Sequence, residues 1–383
     1  MTQERVPIGD YVTEYSVRNK ANEDIPVYSV TNSQGFCKEY FEKEVASKDK
    51  SIYKIVPKGY FAYNPSRINV GSVDWQRSEE RVIVSPLYNV FSVSDELDKQ
   101  YLFYFLKSDI GKQMIKAKAS GSVRDNLKLD MLKEMTIPKR TVQEQKKCVA
   151  VLDQLKKIIS LHSERIGKYD ELLKARFVEM FGNPDVNENN WETHKMEQLC
   201  DVGSSKRIYQ NEQSMIGIPF LRISDLVNRM DTGSKESDLY IPEDRFEELK
   251  EQGLVPKSGD ILLTARGTLG RCYIIQDDDE FYFQDGMITW LSKCDAKITP
   301  LYISYLFEMP GFRKQIDSLQ AGSTVAYLSI SMTKKLDIML PPIELQNQFV
   351  DFVHQVDKSK VVAQKMLEEA QTLFDSLMQE YFG

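Results

Sequence analysis

The sequence predicts an α/β (α+β) chain with a two-fold internal repeat. Two globular modules are each followed by a long helix, and the two helices pack as an antiparallel coiled coil. Three observations carry this. A stretch beginning at Tyr101 returns at Tyr302 without a gap. Two runs of about 40 residues keep an apolar seam at steps of three and four. Short alternating or apolar runs, bounded by turn residues, fill the segments in front of them.

Residues 101–182 align with 302–383 at a fixed offset of 201, with 17 identities over 82 positions. Tyr104/Tyr305, Gly121/Gly322, Leu127/Leu328, Gln145/Gln346 and Gln154/Gln355 are among them, and both copies end on Phe-Gly. A fifth of positions is modest identity, but an ungapped match of this length requires two copies of one module. The match reaches back more weakly. Val56-Pro57-Lys58 pairs with Val255-Pro256-Lys257, and Gly71 with Gly270, so GYFAYNPSRINVG is the counterpart of GDILLTARGTLG.

The strand candidates, in chain order, are 25–31, 60–64, 81–93, 218–224, 260–265, 271–276 and 287–292, all β-branched or aromatic runs. Segments 99–119 and 300–319 read as helices, the second broken by Pro310. Each leads into a small-residue loop, 119–126 and 320–327. The first long helix follows from Val142, with its seam at Leu152, Leu155, Ile159, Ile166, Tyr169, Leu173 and Met180. The second repeats the phase through Val353, Val356, Ala363, Leu367, Ala370, Phe374, Leu377 and Tyr381. Forty residues at 1.5 Å each span about 60 Å, and a stripe of that length must be covered. The polar segment 183–191, NPDVNENNW, reads as a linker.

Composition excludes several classes. Apolar content of 42% and charged content of 28% belong to an ordinary globular protein. No apolar run is long enough to span a membrane, and the N-terminal residues lack the apolar core of a signal peptide. Five scattered cysteines without a CxxC pattern argue against a zinc site or a disulfide framework and fit a reducing cytoplasm. Residues 1–182 carry +5 and residues 183–383 carry −12. Net charge thus opposes non-specific DNA binding, and any DNA contact must come from local basic loops.

No catalytic constellation is present. There is no GxGxxG and no GxxxxGK[ST], and no nucleophile has a visible base. Tyr302, Tyr305 and Phe307 read as core, and Asp277-Asp278-Asp279-Glu280 as a solvated hairpin tip.

DILLTARGTLGRCYII followed by QDGMITWL, then AGSTVAYLSISMTKKLDIMLPPIELQNQFV and its partner SGSVRDNLKLDMLKEMTIPKRTVQEQKKCV, resemble the specificity (S) subunit of type I restriction-modification systems. The resemblance covers essentially the whole chain. The first copy departs from it, with NPSRINVG in place of TARGTLG and Lys139-Arg140 where Pro-Pro is usual. It implies a target recognition domain at 1–141, a helical spacer at 142–182, the linker at 183–191, a second target recognition domain at 192–341 and a second spacer at 342–383. It further implies a cytoplasmic, non-catalytic subunit. Each module would read one half of a bipartite double-stranded DNA target. The helices would set the gap and dock two modification (methyltransferase) subunits. Restriction/motor subunits can join. The chain would hold no cofactor, and its partners would use S-adenosylmethionine, ATP and magnesium. A recognition subunit of another methyltransferase-nuclease, or a scaffold with two protein-binding heads, are the alternative readings.

Arg and Asn read guanine and adenine edges in two-point contacts, while Ser and Thr beside glycines hold phosphates. The DNA-contact candidates of the first module are therefore Arg67, Asn69, Ser122, Arg124 and Asn126. Those of the second are Lys206, Arg207, Arg222, Thr264, Arg266, Thr268, Arg271, Ser323, Thr324 and Tyr327.

Overall fold

The structure, a computed structural model, describes residues 3–38, 49–119, 126–320 and 326–383. The chain forms two compact units, Met1–Glu164 with Ala363–Gly383, and Arg165–Val362.

In the first unit, strands Val12–Glu14, Asn89–Val93, Phe61–Tyr63 and Val73–Trp75 form an antiparallel sheet in that spatial order. Period-two alternation assigns its faces. Phe61, Tyr63 and Phe91 join the core beneath the helices, while Ala62 and Val90 join a smaller core with Tyr28, Val56 and Val84. Because both faces are covered, the strand reads as uninterrupted apolar sequence. The expected strand at 81–93 is two, Arg81–Val84 and Asn89–Val93, separated by a turn. The helix expected at 99–119 is also two, Lys99–Lys107 and Asp109–Ala119. Ser108 breaks it: its hydroxyl donates to the Phe105 carbonyl (2.6 Å) and accepts from the Gly111 N–H (3.1 Å), capping the second helix.

The second unit repeats the sheet. Strands Asp201–Gly203, Ile288–Ser292, Ile261–Thr264 and Cys272–Ile274 lie in the same order, all antiparallel. Ile261, Leu263 and Leu291 face one core, and Leu262, Ile288 and Trp290 the other. Helices Pro300–Glu308 and Pro310–Leu319 meet at Pro310, as its ring requires, and Tyr302 and Phe307 are buried core residues. A further small sheet was expected only in its central strand: Ile218–Leu221, within the 218–224 candidate, pairs antiparallel with Tyr240–Ile241 and parallel with Tyr282–Phe283, two short strands with no sequence signal.

The long helices run Val142–Phe181 and Ile343–Phe382. Each packs in both units. In the first, Cys148 and Leu152 share a core with Met378 and Phe382, and Phe382 lies 4.9 Å from the Tyr101 ring. In the second, Phe177 and Phe181 each pack 5.5 Å from Phe349, and Lys360 pairs with Asp170 (2.6 Å). Within each unit one helix's numbers rise as the other's fall, so the pairing is antiparallel. Phe177, Phe181, Phe349 and Phe382 extend the seam beyond the positions expected from sequence.

The repeat is atomically faithful at one buried side chain. Gln145 accepts from the Asp98 N–H (2.7 Å) and donates to the carbonyls of Glu96 (3.1 Å) and Arg140 (2.9 Å). Gln346 makes the same three bonds, to Thr299, Lys297 and Pro341, each 2.9 Å.

Two expectations are corrected. Cys200 and Cys294 form a disulfide between the end of one strand pair and its return, although their number and spacing gave no such sign. Asp279 is not at a solvated tip: its side chain is 1% exposed and paired with the equally buried Arg229. The 183–191 segment, read as a linker, is rich in turns, with the Trp191 indole donating to the Phe181 carbonyl (2.8 Å) and Asn187 bonded to the Trp191 backbone.

Candidate nucleic-acid interface

In the second unit the loop after strand Ile261–Thr264 is framed from within. The fully buried Thr264 hydroxyl donates to the Thr268 carbonyl and accepts from the Arg271 N–H (3.0 Å). Gly270 sits at φ +67°, and a Cβ there would lie 3.1 Å from the Phe307 ring, so glycine lets the loop close onto the helices. The Arg313 guanidinium donates to the Leu269 carbonyl and clamps the same side. Only Arg266, Gly267 and Thr268 stand out into solvent. Arg266 forms a β-bridge with Tyr327, and its guanidinium stacks 5.2 Å from that ring. The chain then docks through the Leu328 N–H to the Ala265 carbonyl (3.0 Å).

The first unit builds the same frame from different residues. Asn64 accepts from the Ser66 N–H and hydroxyl (3.1 Å each), turning the chain into a short 3-10 helix at Ile68–Val70. Gly71 ends it at φ +91°, where a Cβ would lie 2.2 Å from the Asn32 Oδ1. The Leu127 N–H donates to the Pro65 carbonyl (3.1 Å), matching the Leu328–Ala265 bond one repeat away. The Leu127 carbonyl is held by the Tyr63 hydroxyl (3.0 Å), whose pKa burial raises. Arg67 and Asn69 are exposed on this loop, and the half-buried Asn126 stands beside its docking point. Arg67 makes no ion pair with a described residue, and it lines a cavity of about 480 Å³ with Tyr28, Asn32, Asn64 and Tyr88.

The remaining candidates separate sharply. Thr264 is a correction: its hydroxyl is internal to the loop frame and is not presented to a ligand. Arg207, Arg222 and Arg271 are exposed or half-exposed but paired, with Asp285 (2.9 Å), Asp225 (2.9 and 3.1 Å) and Asp231 (2.6 Å). The Arg271 hydrogen bond holds Asp231 below the usual carboxylate range. Lys206 is exposed, its backbone fixed by the Tyr282 hydroxyl (2.8 Å). Ser122, Arg124, Ser323 and Thr324 lie outside the described residues. The exposed cations without a carboxylate partner among these candidates are thus Arg67, Lys206 and Arg266. Sequence reasoning missed Asp285 and Asp231 because they lie 78 and 40 positions from Arg207 and Arg271, whereas Asp225, three residues after Arg222 at a helix start, did carry a local signal. Among the described residues no group of His, Cys, Asp and Glu gathers as a metal site, and no helix is long and apolar enough to cross a membrane.

Two similar loop frames present different exposed donors, and comparison with known proteins gives the class. The family model for the type I restriction modification DNA specificity domain matches twice, at residues 10–168 and 188–370. A putative type I restriction enzyme specificity subunit of Haemophilus influenzae is 27% identical over 276 residues, covering 70% of this chain and 67% of that protein. The MjaVIII specificity subunit of Methanocaldococcus jannaschii is 23% identical over 301 residues, covering 74% and 69%. A chain from a type I restriction-modification assembly superposes with TM-score 0.61 at 15% identity, covering 100% and 98%. The S subunit from M. genitalium gives 0.56 at 15%, covering 100% and 96%. The chain belongs to the type I restriction-modification DNA specificity family. It is a DNA-recognising specificity subunit, the non-catalytic part of such an enzyme.

Proposed function

We propose that each module reads one half of a bipartite duplex target, the first through Arg67, Asn69 and Asn126 and the second through Arg266, Tyr327 and Lys206. The observation that supports this best is the common frame with unlike readers. Leu127–Pro65 and Leu328–Ala265 hold equivalent loops, while the exposed side chains differ, as two different half-sites require. The long helices set the gap and dock two modification subunits. Leu161 and Val362, and Leu172 and Leu373, support this, being exposed apolar residues at identical repeat positions, as two copies of one partner need. The partners supply S-adenosylmethionine chemistry and, where a motor subunit joins, ATP and magnesium. The complex works on cytoplasmic DNA.

The test maps methylated adenines in cells carrying the parent chain, Arg67→Ala or Arg266→Ala. Each variant should relax one half-site, at about 1–3 kcal/mol per lost two-point contact, and leave the other half unchanged. Equal effects of both variants on both halves would defeat the assignment.

A further inference from the structure

A second cavity of the first unit, about 500 Å³, lies between Asp74 and Arg77 at a sheet edge, the helix Lys99–Lys107, and the long helices at Lys156 and Phe374. Three cations converge on one ring inside it. Arg77, Lys107 and Lys156 stand 5.4, 5.6 and 5.5 Å from the Phe103 centroid, and Lys156 also lies 4.8 Å from Tyr104. Two of the three have partners. Arg77 pairs with Asp74 (2.7 Å), and Lys107 donates to Asn32 and the Gly71 carbonyl. The second carboxylate, Asp153, accepts from the Tyr104 hydroxyl. Lys156 faces the Phe103, Tyr104 and Phe374 rings and forms no ion pair with a described carboxylate, Asp153 and Asp74 acting on it only at longer range. Burial pushes the Lys107 ammonium down to about 8, with Lys156 adding to the effect, and burial lowers Lys156 too. Asp153 and Asp74 oppose the lowering at Lys156, yet these two carboxylates face three cationic side chains, so the lining carries an excess of positive charge.

The internal repeat supplies the control. Tyr104, Lys107 and Lys156 correspond at offset 201 to Tyr305, Glu308 and Asp357. In the second unit burial raises the Tyr305 phenol, and the nearby Asp357 and Glu308 raise it further. The fold accepts either sign of charge here, so packing does not require the cations. Lys107 also connects the cavity to Gly71, the end of the loop that carries Arg67 and Asn69.

We propose that this cavity anchors a backbone phosphate of DNA flanking the first half-site, with Lys156 as its main donor, and that the second unit has no equivalent anchor. This rests on the reading that the first module binds DNA. A phosphate adjoining the bases read by Arg67 is the nearest anion the chemistry supplies, and phosphate contacts position a reader without specifying sequence.

The experiment uses the full chain assembled with its modification subunits. Duplex affinity is measured between about 50 and 200 mM salt for the parent, Lys156→Gln and Lys156→Asp, the last being the residue its twin carries. Loss of one phosphate contact should make the slope of log affinity against log salt shallower by about 0.9 in Lys156→Gln. Binding should weaken equally for all sequences, with half-site preference kept, and Lys156→Asp should weaken it more. An unchanged slope overturns the proposal. So does an unchanged slope with impaired subunit assembly, which would assign the cavity to an acidic partner surface. If the parent complex binds no duplex, the half-site reading itself fails. If it binds selectively and the variants keep its slope, only the phosphate anchor fails.

Discussion

Replacing Gln346 with Ala tests the fidelity of the repeat at one buried point. The Gln346 amide is fully buried and joins three backbone groups: the Thr299 N–H and the carbonyls of Lys297 and Pro341, each at 2.9 Å. Each neutral bond contributes about 1 kcal/mol net, and stranding a buried partner costs about 1–3 kcal/mol. Water admitted to the vacated volume offsets part of that. The expected loss is about 3 kcal/mol. Gln145→Ala should cost the same, because its three bonds have the same geometry. Urea unfolding gives the total. Hydrogen exchange at the Thr299 and Asp98 amides gives the local effect in each unit, avoiding an assumption of two-state unfolding. Losses below about 1 kcal/mol in both variants, with protected amides, would refute the claim that this side chain ties the long helix to the backbone it bonds.

Three other outcomes follow from the same structure. Asp279→Ala leaves the Arg229 guanidinium, 4% exposed, without its carboxylate and should destabilise the second unit by about 3–5 kcal/mol in a denaturant titration; a neutral result would show that Tyr273 and Phe281 suffice. Reduction of Cys200–Cys294, whose sequence separation is 94, should lower stability by about 2–4 kcal/mol, and thiol counting should give five free thiols after reduction and three before. Lys107 has a folded pKa of about 8 against an ordinary 10.5, so the unfolded chain binds that proton more tightly. Stability should therefore rise, relative to Lys107→Met, as pH climbs from 8 to 10.5; a flat difference would show that the ammonium is not desolvated.

Much of the architecture was legible because it is written periodically. The offset of 201 predicted two copies of one module, and the three-four seam predicted the long helices that end at Phe181 and Phe382. What escaped depends on partners distant in sequence. The break at Ser108 comes from a hydroxyl cap rather than a proline. The parallel pair Phe220–Tyr282 joins residues between which two strands of the larger sheet, Ile261–Thr264 and Cys272–Ile274, intervene. The site was half legible for a related reason. Arginines can be found by type, but Arg271 looks like Arg266 until Asp231 is placed beside it. Thr264 looked like a phosphate holder because sequence does not show which way a strand-end hydroxyl turns.

The helix segment 363–383 belongs to the first unit, where Phe382 fills its core and the Arg5 guanidinium donates to the Phe382 (3.0 Å) and Gly383 (3.2 Å) carbonyls. On a ribosome residues 1–164 therefore wait for residues 363–383. The first head emerges with an open apolar slot at Tyr101 and Phe105 and keeps it until the second head has been made. A message cut short after the second head would leave that later head complete and the earlier one unsealed, reversing the usual rule that truncation damages what lies nearest the cut.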